Sequence, residues 1–454
     1  MAIETKNPAT GEVVKTFEPH TPDEVKQKIE LAEKAFRSWK NTSFEERAVY
    51  MHRQADILEN EADKYGRIIS LEMGKPLKDS IAEVKKCAKV CRYYAENAAD
   101  FLKDDEIKTS ASRSLIAYEP LGVVLAVMPW NFPFWQVYRF LAPALMAGNT
   151  GLLKHASNVP QCALAIEEIC RKAGFPDNVF QALLIGSKEV DAVIENPLVK
   201  AVTLTGSEAA GSMVAAKAGE QIKKTVLELG GSDPFIILED ADLEQAATFA
   251  VKSRMVNTGQ SCIAAKRFIV VQSIADAFLK RMKEIMGGLK TGNPLTDNCD
   301  YGPLARKDLA AELEEQVQQS LKKGAQIVLD GGRTDTESAY FKPMILKNVA
   351  PGMPAYDEEM FGPVAAVMIA KDEDDAIRIA NDSRFGLGGA VWTQDKERGL
   401  RVARQVETGA MFVNTMVASS PEMPFGGIKK SGYGRELSYL GIREFVNQKS
   451  IWID

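Results

Sequence analysis

The spacing of apolar residues divides the chain into a helical start and a longer region in which strands and helices alternate. Over residues 21–39, apolar positions recur near helical spacing at Val25, Ile29, Ala32 and Phe36. Thr21 precedes them and is suited to cap a helix. Similar spacing predicts helices over residues 43–73 and 80–102. The chain is therefore predicted to begin with a layer of helices.

From residue 122 onwards, short continuous apolar runs alternate with stretches of helical periodicity. The runs cover residues 123–128, 151–154, 180–185, 201–205 and 225–229. The predicted helices between them cover residues 135–147, 157–173, 188–195 and 207–218. Such alternation is typical of a parallel sheet covered by helices on both faces. A ligand of this sheet would bind beyond the carboxyl ends of its strands.

A second alternating series follows Gly230 and Gly231. Its predicted strands cover residues 235–238, 267–271, 326–329, 364–369, 389–392 and 409–413, and the predicted helices between them cover 274–285, 307–323, 373–380 and 396–406. The glycine-rich stretch 425–434 is a candidate hinge. Residues 443–453 are predicted as a terminal strand added to another sheet or subunit. The pattern therefore predicts an α/β protein with two sheet domains.

Composition narrows the class of protein. Lys plus Arg number 56 and Asp plus Glu number 62, a net charge of −6, which disfavours non-specific nucleic-acid binding. Three His and six Cys without paired CxxC spacing predict no metal site. The uncharged run 120–138 contains Pro129 and Pro133, so buried core is expected there and not a membrane span. Without a secretory signal pattern, a cytoplasmic protein with reduced thiols is expected.

Three side chains are candidates for catalysis. Cys262 lies among small polar residues in Asn-Thr-Gly-Gln-Ser-Cys-Ile-Ala, a setting that can lower a thiol pKa and leave the sulfur exposed. Glu228 ends an apolar strand, where burial would raise its pKa towards that of a general base. An ion pair of Glu228 with Lys223 or Lys224 is the alternative. Asn131 follows the first parallel strand, where its amide could donate to an oxyanion or only shape a turn.

Two further strand ends carry candidate ligand contacts. Gly206 and Ser207 follow a strand and open a helix, so their backbone N–H groups could approach a phosphate, although the glycine could equally serve only the turn. Lys154 ends another strand and could reach ribose or phosphate oxygens, a solvated surface lysine being the alternative. Ser157 follows it, where an acidic side chain would favour NAD.

Taken together, these residues resemble the aldehyde dehydrogenase superfamily over essentially the whole chain. The resemblance is carried, in the family's order, by residues 129–133, 205–207, 227–231, 259–262, 359–363 and 424–427. It implies a Rossmann-type parallel-sheet cofactor domain from residues 1–102 and 121–230 and an α/β catalytic domain from residues 231–427. Residues 103–120 and 428–454 would be oligomerisation or bridging segments, including a small β hairpin and a last strand that crosses to a partner subunit.

The resemblance also implies roles for individual residues. Cys262 would attack the aldehyde carbonyl, Asn131 and the Cys262 backbone N–H would hold the oxyanion, and the thiohemiacetal would become a thioester by giving hydride to the nicotinamide. Glu228 would activate the water that hydrolyses this thioester. The cofactor contacts would come from Trp130, Asn131, Lys154, Ser157, Gly206, Ser207, Leu229, Glu359 and Phe361. Members that prefer NAD often carry Glu where this chain has Ser157, so NADP is the expected cofactor, with NAD as a second.

Within the superfamily, succinate-semialdehyde dehydrogenases resemble the chain at Arg139 and Ser419. An arginine guanidinium group can donate two hydrogen bonds to a substrate carboxylate, and a serine hydroxyl can donate another. Trp135 and Phe134 would line the same tunnel, and an ion pair of Arg139 with a surface acid is the alternative.

The predicted activity is oxidation of succinate semialdehyde to succinate by a homodimer or homotetramer, without nucleic-acid or membrane partners. Three alternatives remain open from the sequence: a dehydrogenase for glutarate semialdehyde or an uncharged aldehyde, a cofactor-free cysteine hydrolase, and a non-catalytic scaffold.

Overall fold

Helices dominate the start of the chain, where the apolar spacing predicts them. The structure is a computed structural model that describes residues 3–454. Its α-helices in chain order are α1 (Pro22–Trp39), α2 (Phe44–Asn60), α3 (Ala62–Met73), α4 (Leu77–Phe101), α5 (Trp135–Met146), α6 (Pro160–Lys172), α7 (Val190–Glu195), α8 (Glu208–Glu220), α9 (Leu243–Met255), α10 (Ala275–Gly287), α11 (Lys307–Lys322), α12 (Pro354–Asp357), α13 (Glu373–Asn381), α14 (Lys396–Gln405) and α15 (Ser438–Ile442).

The strands follow the predicted runs closely and add several short ones. In chain order they are β1 (Ile3–Lys6), β2 (Val13–Phe17), β3 (Asp105–Glu106), β4 (Arg113–Pro120), β5 (Val123–Met128), β6 (Thr150–His155), β7 (Phe180–Ala182), β8 (Val199–Thr205), β9 (Lys224–Glu228), β10 (Pro234–Ile237), β11 (Arg267–Val271), β12 (Gln326–Leu329), β13 (Gly332–Arg333), β14 (Phe341–Lys342), β15 (Met344–Lys347), β16 (Val364–Ala370), β17 (Gly388–Trp392), β18 (Ala410–Val413), β19 (Gly432–Tyr433) and β20 (Val446–Ile453).

Local sequence explains where the first helices begin and end. Thr21 and Glu24 form a reciprocal capping box at the start of α1, as the predicted threonine cap requires. The predicted helix over residues 43–73 is in fact two, α2 and α3, because Glu61 leaves helical geometry with ψ at 21°. Helix α9 was not predicted, since its buried face is built largely of alanines, which give a weak apolar signal.

The first sheet has six strands in the order β19-β9-β8-β5-β6-β7. Strands β5 to β9 are parallel, as predicted, whereas β19 pairs antiparallel with β9 through Gly432 and Glu228. The β19 pairing brings residues from near the end of the chain to the strand that carries Glu228. The glycine-rich stretch 425–434 is therefore tied to the first sheet, and the N–H of Ile428 also donates to the Gly386 carbonyl beside the second sheet.

The second sheet has seven strands in the order β12-β15-β16-β11-β10-β17-β18. All neighbours are parallel except β12, which pairs antiparallel with β15. Strand β15 was not predicted, because it is only four residues long and follows a proline. Helices and apolar clusters cover both faces of each large sheet. On the first sheet, one face packs against α2–α6 and the other against α1, α7 and α8. On the second sheet, one face packs against α9 and α10 and the other against α11, α13 and α14.

A third sheet, in the order β20-β4-β3, projects from these two. Strands β3 and β4 form the hairpin expected within residues 103–120. The terminal strand β20 pairs antiparallel with β4 of its own chain along its whole length, from Val446 to Ile453. This pairing confirms the prediction of a terminal strand added to another sheet, and a contact of β20 with a partner subunit stays a prediction. Of residues 428–454, only β20 lies in this sheet, since β19 belongs to the first.

Candidate active site

Cys262 lies in a strained loop between α9 and β11. Asn257 and Thr258 have positive φ angles of 52° and 56°, values that non-glycine residues rarely adopt. Gly259 also has positive φ, and a Cβ there would lie 2.3 Å from the Gly362 carbonyl oxygen. These conformations turn the chain sharply before Cys262. The loop is thus held by its surroundings in a shape that its own sequence does not favour.

The Cys262 thiol is less acidic than its sequence setting suggested. The residue is half-buried, and burial raises the pKa of its thiol to about 12, although the positive charges of Arg139 and Lys266 act to lower that pKa. The expectation of a lowered thiol pKa is therefore corrected, because desolvation of the thiolate outweighs the attraction of the two cations. The other five cysteines are buried, as inert thiols would be.

The Asn131 side chain joins the loop of the first sheet to the Cys262 loop. Its Nδ2 donates to the Gln260 carbonyl at 3.0 Å, and its Oδ1 accepts from the Gln136 side chain at 3.1 Å. The two contacts fix which end of the amide carries the donors. An amide nitrogen has two hydrogens, so Asn131 keeps one N–H that can donate to another acceptor near Cys262.

Glu228 ends β9 with its carboxyl group inside the protein. Within residues 3–454, neither carboxyl oxygen has a hydrogen-bond partner. Burial raises the pKa of Glu228 well above its usual range, and the nearby Glu436 carboxyl raises it further, against the pull of Arg139. The alternative of an ion pair with Lys223 or Lys224 is wrong, since Lys224 pairs with Glu444 and Lys223 donates to backbone carbonyls.

Arg139 lies in α5, and its partner is a buried acid and not a surface one. Its Nε is 2.7 Å from Glu436 Oε2, and both side chains are buried. The Arg139 guanidinium also stacks over the Phe425 ring at 4.5 Å. Because its charge acts on Cys262, Glu228 and Lys86, Arg139 lies close to all three. The predicted cation therefore stands beside the candidate nucleophile, with one acid already against it.

Ser419 and Trp135 contact each other one helical turn from Arg139. Trp135 Nε1 donates to Ser419 Oγ at 3.0 Å, and Lys86 Nζ donates to the same oxygen at 2.9 Å. Lys86 also lies over the Trp135 ring, 4.1 Å from its centroid. Phe134, in contrast, is wholly buried between Tyr65 and Tyr138, so it belongs to the core and not to a tunnel wall.

Glu359 lies where the two sheets face each other. Its Oε1 is 3.2 Å from Lys266 Nζ and accepts from the Gly231 N–H at 3.1 Å. A Cβ on Gly230 would lie 2.5 Å from Glu359 Oε2, so any side chain there would force the Glu359 carboxyl group to move. Lys266 also donates to the carbonyls of Ser261 and Cys262, both at 2.7 Å. One buried lysine therefore links Glu359 to the Cys262 loop.

Three further predicted cofactor residues, Lys154, Ser157 and Trp130, lie at or just beyond strand ends of the first sheet, and Phe361 lies in the loop before β16 of the second. Lys154 is buried near the end of β6, and burial lowers its pKa. Ser157 borders a shallow depression with His155 and Leu184. The Trp130 and Phe361 rings meet edge to face, with centroids 5.8 Å apart.

The structure adds no support to the hypothesis that the N-terminus of α8 binds a phosphate. Ser207 caps α8 by accepting from the Ala210 N–H, which is an ordinary helix cap next to Gly206. Gly211 meets Leu229 so closely that a Cβ would lie 2.5 Å from it. Packing against Leu229 therefore accounts for the second glycine of the GxxxxG spacing.

Three residues of the site were not singled out from the sequence: Lys86, Lys266 and Glu436. Lys266 precedes an apolar strand, so a buried charge there was a detectable signal. Lys86 and Glu436 carry no local signal, because their partners are distant in the chain. Lys86 contacts Ser419, 333 residues away, and Glu436, which lies before α15, pairs with Arg139 in α5. Only the assembled fold shows that they belong to the site.

Comparison with known proteins identifies the class. The chain matches the Aldehyde dehydrogenase family over residues 1–451 and belongs to that family. It is 53% identical over 453 residues to a probable succinate-semialdehyde dehydrogenase [NADP(+)] of Synechocystis sp., and 51% identical over 456 residues to succinate-semialdehyde dehydrogenase [NADP(+)] 1 of Mycobacterium tuberculosis; each alignment covers 100% of both chains.

Solved structures give the same fold. The succinic semialdehyde dehydrogenase of Streptococcus pyogenes in complex with NADP+ superimposes with a TM-score of 0.97 at 39% identity, covering 100% of both chains. A structure described for cofactor and substrate selection by Gox0499 superimposes with a TM-score of 0.98 at 42% identity, also over both whole chains.

Residues 3–454 contain no group of three or more His, Cys, Asp or Glu side chains placed to hold a metal ion. Over the same residues, no helix is long and apolar enough to cross a membrane.

Proposed function

We propose that the chain oxidises succinate semialdehyde to succinate with NADP. The observation that carries this proposal is the grouping of Cys262, Glu228 and Arg139 at one site, together with full-length similarity to enzymes named for that reaction. A thiol, a buried carboxyl and a cation are the groups that this oxidation of an acidic aldehyde needs.

The chain's own residues would divide the chemistry as follows. The Cys262 thiolate attacks the aldehyde carbon, and the free N–H of Asn131 together with the Cys262 backbone N–H donates to the oxygen that becomes negative. Glu228 takes a proton from the water that hydrolyses the thioester, which releases the acid and restores the Cys262 thiolate that begins the next cycle. Bound NADP supplies the acceptor for the hydride that leaves the substrate carbon.

The residues present fit NADP. Ser157 is neutral at a position where a carboxylate would repel the 2′-phosphate, and Lys154 adds a buried positive charge on the same strand end. Trp130, Gly206, Ser207, Leu229, Glu359 and Phe361 would complete the cofactor contacts. In this proposal, residues 1–102 and 121–230 form the cofactor-binding domain and residues 231–427 the catalytic domain.

The third sheet supports a homodimer or homotetramer. Trp452 and Ile453 on β20 are exposed at 62% and 45%, which is unusual for large apolar side chains at the edge of a monomer. Burial against a second copy of the chain would remove this apolar surface from water. We propose a cytoplasmic enzyme of this assembly.

Steady-state kinetics on a panel of aldehydes with both cofactors tests the function. We expect the highest kcat/KM with succinate semialdehyde and NADP, followed as growth of absorbance at 340 nm. A higher kcat/KM for glutarate semialdehyde or butanal would overturn the substrate, and a strong preference for NAD would overturn the cofactor. Without any growth at 340 nm, the dehydrogenase itself would be refuted.

A further inference from the structure

Lys86 places a positive charge in the site, and the mechanism proposed above assigns no role to this charge. It lies in α4, and burial together with repulsion by Arg139 lowers the pKa of its amine to about 8. The nearby acids on its own helix are engaged elsewhere. Glu83 is held by Lys75 and accepts the N–H groups of Phe134 and Trp135, so it does not neutralise Lys86.

The other charged groups around Lys86 do not neutralise it either. Lys89 on the same helix is a cation and pairs with Glu422 at 3.0 Å. Cys87 is a buried thiol whose pKa is raised well above its usual range, so it is neutral. Arg139, from α5, is a second cation and has Glu436 as its own partner. Within residues 3–454, no acid lies at ion-pair distance from the Lys86 ammonium group. Buried or half-buried charges in proteins are normally paired, so this arrangement suggests an anionic ligand.

The hydroxyl of Ser419 points to the same conclusion independently. Its oxygen already accepts two hydrogen bonds, from Lys86 Nζ and from Trp135 Nε1. A hydroxyl oxygen has two lone pairs and one proton, so Ser419 has only its O–H left to use. The group that completes this arrangement must be an acceptor. An ammonium group and an O–H donor side by side suit a carboxylate.

We propose that Lys86, with Ser419, binds the terminal carboxylate of the semialdehyde and is a specificity-determining residue of this enzyme. This inference rests on the proposed function, because it names the part of the site that would select an acidic aldehyde. Trp135 holds both groups: its ring lies under the ammonium group of Lys86 and its indole N–H fixes Ser419. Arg139 lies one helical turn further on in α5, and its charge acts on both Lys86 and Cys262.

Lys86→Met tests the proposal, with Lys85→Met as the matched control. Lys85 is the exposed neighbour on the same helix, so its substitution removes the same charge without touching Ser419. We expect Lys86→Met to lower the ratio of kcat/KM for succinate semialdehyde to that for butanal by tenfold or more, mainly through KM. The ratio should stay within about twofold for Lys85→Met and within about threefold for Lys86→Arg, which keeps the charge.

The pH dependence of KM is a second measurement, and it would not change if Lys86 had only a structural role. The ammonium form of Lys86 binds the carboxylate, and this form is lost as the pH rises through about 8. KM for succinate semialdehyde should therefore rise above that pH in the wild type, by up to tenfold per pH unit, and this rise should be absent in Lys86→Met. KM for butanal should show no such rise in either protein.

The outcomes separate this proposal from the proposed function. If the wild type prefers succinate semialdehyde but Lys86→Met keeps the same ratio, the role of Lys86 is refuted and the function stands. Equal losses with both aldehydes would show a structural role and also refute it. If the wild type itself prefers butanal, the proposed function fails. Should Lys86→Met not fold, Lys86→Gln removes the charge while keeping a donor for Ser419, and the same ratio decides.

Discussion

Two neighbouring parts of the proposed site differ in the groups they contain: one has buried acidic groups and the other has a positive charge. The reacting end, formed by Cys262, Glu228 and Asn131, contains acidic groups whose pKa values are raised by burial. The selecting end, formed by Lys86, Trp135 and Ser419, contains an ammonium group and a hydroxyl whose lone pairs are both used. A carboxyl group with a raised pKa, such as that of Glu228, is suited to take up and release a proton, whereas the same burial makes the Cys262 thiol harder to ionise. The selecting end offers the positive charge of Lys86 and the O–H of Ser419, which suit the binding of an anion.

Arg139 lies between the two ends and interacts with both. It pairs with Glu436, acts on Glu228 and Cys262, and repels Lys86. The comparison indicates that Arg139 need not bind the substrate carboxylate alone. Arg139 is paired with Glu436, and within residues 3–454 Lys86 has no acid as an ion-pair partner at the selecting end.

Removing the nucleophile should have the largest effect. Cys262→Ser keeps the shape of the side chain but replaces the thiol by a much poorer nucleophile, so kcat should fall by about 10⁴-fold or more. NADPH formation at 340 nm measures the loss. Cys299→Ala is the control, because this buried cysteine is not part of either end and its loss should leave kcat within about twofold. Full turnover by Cys262→Ser would show that the reacting end has been assigned wrongly.

Glu228→Gln should slow hydrolysis of the thioester and leave formation of the thioester unchanged. Without a general base, the thioester should form and then hydrolyse slowly, which lowers steady-state kcat by about 10²- to 10⁴-fold. Stopped-flow absorbance should show a burst of about one NADPH per active site before this slow phase. Glu208→Gln, a substitution at an acid that pairs with Arg384 and Lys430, is the control and should show no burst. If Glu228→Gln gives neither burst nor slow phase, Glu228 acts before the thioester.

From the sequence, every residue of the two ends except Lys86 is a candidate, and this exception has a physical reason. Cys262 and Glu228 lie in short segments whose own chemistry is unusual: a thiol among small polar residues and a carboxylate ending an apolar strand. Lys86 looks like any lysine on an amphipathic helix. Its partner Ser419 is 333 residues away, so the contact depends on the packing of α4 against a loop near the end of the chain.

The same distinction holds for the fold. The parallel strands β5, β8 and β11 were predicted within a few residues, because continuous apolar runs are a local property of the chain. The antiparallel pairings of β12 with β15 and of β19 with β9 were not predicted. Strand direction and partner depend on which segments meet after folding, and short strands such as β19 have no periodicity of their own.

Ser157→Glu should change the cofactor and leave both ends of the site intact. A carboxylate at this position repels the 2′-phosphate of NADP but can accept from the ribose hydroxyls of NAD. We expect the ratio of kcat/KM for NADP to that for NAD to fall by about 30-fold, or about 2 kcal/mol. Ser157→Gln, which has the same size without the charge, separates repulsion from crowding. An equal fall in both variants would contradict the electrostatic explanation.

The raised pKa of the Cys262 thiol predicts a gradual effect of pH, about tenfold for each unit, on the reactivity of the free enzyme. A thiol reacts as its thiolate, and the Cys262 pKa of about 12 leaves only a small thiolate fraction at neutral pH. Because the group is an acid with a raised pKa, that fraction should grow about tenfold for each pH unit between 7 and 10. Alkylation of the cofactor-free protein by iodoacetamide, followed by mass spectrometry of the Cys262 peptide, measures this slope, and the Cys262→Ser variant gives the background. A plateau in the alkylation rate near neutral pH would mean that Arg139 and Lys266 stabilise the thiolate more than burial disfavours it, and the contrast between the two ends would then be weaker than their geometry indicates.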